Sequence, residues 1–207
     1  YNDIWYDNCF YHALFPIVSH FNKDIKAFIS NNIFTYEYDN SDIGTNLKMV
    51  NISNITNEEI IKDLGFELNV KVESSSITDD LIHSIDKNKP VIIQIDCYYE
   101  SIRPDTYKKN HCAHALLIYG YNKMNQEFNI IEHNYRDSLL FEKRMISFAD
   151  LINSYKGYLD NLRKSDNELT YFEFFCSDIN PNEISKNVYE DIYSNNFKKN
   201  QTLIYRG

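Results

Sequence analysis

Cysteine attacks a carbonyl as the thiolate, and an ordinary thiol, with a pKa near ~8.5, supplies little of that form at neutral pH. Two neighbours lower the value: the positive end of a helix and an imidazolium. Cys9 is placed for the first. Asp7 and Asn8, both good N-cap residues, precede it, and the apolar stretch Cys9-Phe10-Tyr11-His12-Ala13-Leu14-Phe15-Pro16-Ile17-Val18 follows. A helix is therefore predicted to start at or just before Cys9 and to kink at Pro16. The bland alternative makes Cys9 one more buried thiol on an apolar helix face. His114 is the candidate imidazole. It opens the run His114-Ala115-Leu116-Leu117-Ile118-Tyr119-Gly120-Tyr121. A polar ring at the head of a core strand needs a partner or a task. His111 competes with it but falls in the preceding loop.

A third group should accept the other N–H of the imidazole and so fix its orientation. A hairpin would bring the end of Phe128-Asn129-Ile130-Ile131-Glu132-His133-Asn134 beside His114. Glu132 is the first choice and Asn134 the second; His133 would be an unusual orienter. The alternative is a solvated strand end. A metal at His111, Cys112 and His114 is disfavoured, because residues 111 and 114 would face opposite sides of a strand and no fourth ligand is evident.

These groups must be held by elements. Thr56-Asn57-Glu58-Glu59 reads as a capping box, opening a helix that stops at Gly65. Strands are predicted over 66–72, 91–97, 113–121, 128–132 and 169–176, the second rich in β-branched residues. Helices are predicted from Thr78 and Asp79 to about Asp86, and from Ser147 to about Tyr155. Residues 22–55 carry weak patterns, with strand-like stretches at 33–38 and 47–52. A helix followed by strands with some helices is an α+β pattern. A core domain over residues 1–178 is expected, followed by a polar helical extension over 179–207.

The residues now in view resemble a known group. His114-Ala115 followed by Gly120-Tyr121 looks like the histidine strand of papain-like cysteine peptidases, which also set their cysteine at the start of the first long helix. Bacteriocin-leader peptidases share that layout, with an Asp ending the strand after the histidine. A closer resemblance, over about residues 5–160, is to the N-terminal domain of the butirosin-biosynthesis H protein. Lys89-Pro90-Val91-Ile92-Ile93-Gln94-Ile95-Asp96-Cys97-Tyr98-Tyr99 is similar to that family's "pvivgvDlyy" segment, and Ile146-Ser147-Phe148-Ala149-Asp150-Leu151 to its later helix. The resemblance implies a papain-like cysteine peptidase fold, with an N-terminal nucleophile helix packed on an antiparallel sheet. It implies transfer of an acyl group from the phosphopantetheine thioester of an acyl carrier protein to a small-molecule amine, as in the similar closthioamide amide synthase. It implies Cys9, His114 and Glu132 as the triad. This sequence has Glu where those families have Asp, and no Gln precedes Cys9 to bind an oxyanion. Asn2, Asn8 or the Cys9 backbone N–H would have to serve. A peptidase using the same dyad, or an inactive papain-like binding domain, are the other readings.

Bulk properties narrow the field. The formal net charge of −9 over 207 residues disfavours nucleic acid as a partner. The longest apolar runs are far too short to span a bilayer, so no membrane is expected. The opening residues are polar and acidic, without the pattern of a signal peptide, and a cytoplasmic setting with free thiols is expected. The five glycines form neither GxxxxGK nor GxGxxG, so neither nucleotide nor any other cofactor is expected. The energy for bond formation would arrive in an activated substrate. Basic runs are no longer than short pairs such as Lys108-Lys109 and Lys198-Lys199; Arg103, Lys108 and Lys109 are a candidate patch to dock an acidic carrier, against a plainer reading as solvated loop charge.

Overall fold

The computed structural model describes residues 8–32, 34–38, 47–51, 55–133 and 141–176, and residues 194, 195, 197, 198 and 201. In chain order the elements are α1 (Cys9–His20), α2 (Lys26–Asn31), β1 (Phe34–Tyr38), β2 (Leu47–Asn51), α3 (Asn57–Asp63), β3 (Phe66–Lys71), α4 (Ile77–Ile85), β4 (Val91–Asp96), β5 (Ala113–Asn122), β6 (Glu127–His133), β7 (Phe141–Ser147), α5 (Phe148–Asn161) and β8 (Tyr171–Cys176), with a 3-10 turn at Cys97–Tyr99. The chain is α+β, as its pattern predicts. Of the expected extension over 179–207, the five described residues are all helical. The rest of that segment lies outside the described residues, as do Asn2, Asp7 and Asn134.

The chain divides into two compact units. One holds residues 22–67 and 176–207, the other residues 1–21 and 68–175. In the first, α2 packs on α3, burying Ala27 and Phe28 with Ile60 and Ile61. The capping box at α3 forms as expected: Thr56 Oγ1 accepts from the Glu59 N–H at 3.2 Å and Glu59 Oε2 accepts from the Thr56 N–H at 2.8 Å. Gly65, at φ +84°, takes the left-handed conformation that ends this helix. β1 and β2 form an antiparallel pair.

The second unit is built on an antiparallel sheet in the order β3-β8-β4-β5-β6-β7. The register Val91↔Ile118, Ile93↔Leu116 and Ile95↔His114 puts one row of side chains on a common face. Leu81 of α4, Leu151 and Tyr155 of α5, and Tyr171 of β8 complete the apolar core against it. The opposite row includes Ile92, in register with Leu117 and Phe172. The Phe10 ring of α1 meets Phe172 edge-on at 5.3 Å. α1 thus packs on the sheet, against β5 and β4. It buries Ala13, Leu14, Phe15, Ile17 and Val18 and carries Pro16 inside its length.

β7 is an edge strand with the run Glu142-Lys143-Arg144, which hid it from the periodicity argument. α5 reaches Asn161, a turn and a half beyond its predicted end. Its Gly157 faces the 3-10 turn so closely that a Cβ there would overlap the Tyr99 ring and lie 3.3 Å from the Asp96 Cβ. Alanine is favoured over glycine in a helix by ~1 kcal/mol, yet Gly157→Ala should lower stability by roughly 1–3 kcal/mol, the range for overpacking. Urea unfolding measures it; a variant more stable than the parent would contradict this packing.

Candidate active site

α1 begins where sequence places it. Asn8 is its N-cap, with Oδ1 accepting from the Phe10 N–H at 3.0 Å, so Cys9 is the first helical residue. The sulfur is positioned by the sheet as well as by the helix. The Gln94 N–H donates to the Thr170 carbonyl at 2.9 Å, away from β5. Gln94 is paired with Ala115, and facing residues in an antiparallel ladder turn their N–H groups the same way relative to each other, either both inward or both outward. Ala115 therefore turns its N–H to the β6 side. The β5–β6 register runs to Leu117↔Ile131, and two residues further along β5 the Ala115 N–H donates to Cys9 Sγ at 3.3 Å.

His114 is buried beside that sulfur. Its Nε2 lies 2.6 Å from Glu132 Oε2, which leaves Nδ1 as the ring nitrogen to face Cys9. The 106-residue gap in sequence between the cysteine and the strand is thereby closed. Glu132, fully buried, collects further partners on its other oxygen. Oε1 accepts from the His133 N–H at 2.8 Å, and the His133 ring Nε2 lies 3.1 Å from it. Arg103 Nη1 is 3.6 Å away. Arg103 itself is buried and held by both carboxylate oxygens of Asp105, at 3.2 and 2.8 Å. Weighed from sequence as a docking charge, it is instead part of the charge balance around Glu132. Lys108 and Lys109 are exposed.

The electrostatics agree across the line. Burial alone would raise the Cys9 thiol, but the hydrogen bond and charge of His114, with the Ala115 and Cys9 backbone N–H groups, bring it below its ordinary value. Burial alone would lower His114, but the Glu132 charge and the bonds to Cys9 and Glu132 carry it well above its ordinary value. Burial alone would raise Glu132, but the His114 charge and hydrogen bond, then the His133 and Arg103 charges, hold it below the usual carboxylate range. Each shift favours thiolate, imidazolium and carboxylate in a row.

The competing imidazole is committed elsewhere. His111 Nδ1 lies 2.6 Å from the buried Asp96, and its ring stacks on Tyr98 at 4.3 Å. Two further histidines belong to the site's walls: His133, weighed from sequence only as an unusual orienter, and His12, which sequence reasoning passed over. The His133 ring stacks with His114, at 6.0 Å, and with Phe141, at 5.3 Å; His12 stacks on Phe141 at 4.5 Å. His12 is buried and pushed down to about 4, first by burial and then by the charges of His114 and His133. Its position three residues after Cys9, one helical turn on, was the available signal. Among the described residues, no group of three His, Cys, Asp or Glu side chains is arranged to hold a metal, and no helix is long and apolar enough to cross a membrane.

The family model for the N-terminal region of butirosin biosynthesis protein H matches residues 31–133. Over that segment the chain is similar to this family. The match includes His114 and Glu132 and begins after Cys9. A search of curated proteins found no match.

The thiolate should appear at a pH where ordinary cysteine is still protonated. Iodoacetamide labelling of Cys9, followed by peptide mapping, should be faster than that of free cysteine below pH ~8.5 and should fall away only as pH drops through the lowered Cys9 pKa. Glu132→Gln removes the charge that supports the imidazolium and should shift the curve upward; a shift of one pH unit slows labelling about tenfold on its rising limb. Labelling of Cys9 that follows free cysteine at every pH would contradict the ion pair.

Proposed function

We propose that this chain is a cysteine-dependent acyltransferase on a papain-like fold. It takes an acyl group from a carrier-protein phosphopantetheine thioester and passes it to a small-molecule amine in cytoplasmic natural-product biosynthesis. The observation that carries the reading is the line Cys9–His114–Glu132, in which a buried carboxylate bonds the imidazole at 2.6 Å and the imidazole meets the thiol. The family description is of a biosynthetic protein and supports that setting.

The cycle follows from the groups in place. The Cys9 thiolate attacks the thioester carbonyl, and the charge that develops on oxygen is met by N–H groups at the start of α1. Asn8 Oδ1 is turned to the Phe10 N–H in its capping role, so the Cys9 backbone N–H is the proposed oxyanion donor. As the tetrahedral adduct collapses, His114 gives its proton to the departing pantetheine sulfur. Thioester is exchanged for thioester at little cost, and no nucleotide is consumed. The amine then attacks the acyl-Cys9 carbonyl while neutral His114 takes its proton. Collapse breaks the carbon–sulfur bond, releases the amide and restores the thiolate–imidazolium pair. Glu132 stabilises the imidazolium and keeps the ring in orientation without itself taking the proton.

The test is incubation with an acylated carrier protein or its thioester mimic, with and without amines. Amide product should form with amine present, acyl-Cys9 should be captured by mass spectrometry when amine is withheld, and Cys9→Ala should abolish both. The rate should be bell-shaped in pH, rising through the lowered Cys9 pKa and falling through the raised His114 pKa. Cleavage of peptides with no amide product would assign the same residues to a cysteine peptidase. No turnover of either substrate, with Cys9 labelling no faster than Cys97 or Cys176, would leave a binding domain.

A further inference from the structure

A second pair of thiols lies beside this site. The β4–β5 register ends at Asp96↔Ala113, and Cys97 and Cys112 are the residues that follow and precede that pair. The Cys97 N–H donates to the Cys112 carbonyl at 3.0 Å. The Cys112 N–H turns to Asp96 Oδ1 at 3.2 Å; the single backbone bond still holds the two residues side by side, near the Cα spacing of about 5.5 Å of a doubly bonded pair and the span of roughly 4.4–6.8 Å that a disulfide bridges. Side chains of facing residues emerge on the same side of the ladder. Cys112 Sγ also lies 3.8 Å from the Ala113 carbonyl, beside the end of the ladder.

We propose that Cys97 and Cys112 form a reversible oxidation site, at which a hydroperoxide converts the two thiols to a disulfide two residues from His114. The two cysteines differ in the way an attacking and a resolving thiol must differ. Cys112 is exposed, whereas Cys97 is buried. The neighbouring Cys97 thiol, and then the positive charges of His114 and Arg103, bring Cys112 down to about 6 against the effect of burial; the neighbouring Cys112, with burial, pushes Cys97 up. Exposed, acidic thiols beside a resolving partner are the ones that peroxides oxidise first.

In the first step the Cys112 thiolate attacks the terminal peroxide oxygen. The O–O bond breaks, the alkoxide or hydroxide leaves and is protonated by solvent, and Cys112 becomes a sulfenic acid. In the second, the Cys97 sulfur attacks the sulfenic sulfur. The S–S bond forms, the S–O bond breaks, and the Cys97 proton leaves with the hydroxide as water. Two electrons pass from the thiols to the peroxide, and a thiol reductant reverses the change. The bridge removes a negative charge close to His114 and ties the start of β5 to the end of β4. It does not depend on the acyl-transfer reading.

The experiment uses the full chain, hydrogen peroxide, alkylation of the remaining thiols and tryptic mapping; cleavage after Lys108 and Lys109 separates the two cysteines. The expected result is a Cys97–Cys112 crosslinked peptide, with two of the four thiols lost and recovered on reduction. Cys97→Ser should trap the sulfenic acid, seen as a dimedone adduct on Cys112, and Cys112→Ser should abolish the crosslink. Oxidation of Cys9 alone, a crosslink from Cys112 to Cys9, or a Cys97→Ser chain without the Cys112 adduct would each overturn the proposal.

Discussion

A carboxylate with no contact with water costs several kcal/mol unless charges and hydrogen bonds replace its hydration, and Glu132 is such a group. Its replacement shell consists of the His114 ring at 2.6 Å, the His133 N–H at 2.8 Å, the His133 ring at 3.1 Å and Arg103 at 3.6 Å. Those partners come from β5, from β6 and from the loop after the 3-10 turn. The loop and strand are tied to one another through Arg144 of β7, whose guanidinium donates to the carbonyls of His133 and Ile102, each at 3.0 Å. The charge thereby imposes an arrangement on three strands and a loop. The same shell that makes Glu132 tolerable inside the protein keeps His114 protonated, and the protonated His114 makes the Cys9 thiolate tolerable in turn.

The sheet contributes something the helix could not supply alone. A helix start lowers a thiol's pKa wherever it sits, but it does not choose which imidazole the thiol meets. That choice is made by β5, which presents the Ala115 N–H and the His114 ring from consecutive residues to one sulfur. Burial surrounds the site with low-polarity walls in which such contacts count for more. The walls are partly imidazole, since His12 and His133 both stack on Phe141. Another buried acid, Glu100, is pushed up to about 8 by burial and by the Glu132 charge, so the region carries fewer negative charges at neutral pH than its composition suggests.

What sequence revealed, and what it hid, divides along physical lines. The helix that starts at Cys9, the capping box at Thr56 and the buried strand at 91–96 were legible because caps, turns and β-branched runs act locally. The pairing of Glu132 with His114 was also legible, since a hairpin fixes which strand ends meet. α2 was missed because it has no side-chain N-cap, Ile25 standing where a Ser or Asp would signal. β7 was missed because its middle is charged, as an exposed edge permits. The inward role of Arg103 was invisible because its partner Asp105 and its target Glu132 are brought together only by tertiary structure. The insertion of β8 between β3 and β4 is likewise a property of the folded sheet, and no local pattern announces it.

Three charges, on residues 9, 114 and 132, sustain one another. Nitrogen NMR of the His114 ring tests it most directly, titrating the parent chain and the Cys9→Ser variant, whose hydroxyl stays neutral. The account predicts that the imidazolium persists well above the ordinary histidine range in the parent and titrates at lower pH once the sulfur anion is gone. An identical His114 titration in both chains would mean that the thiolate and the imidazolium are not coupled.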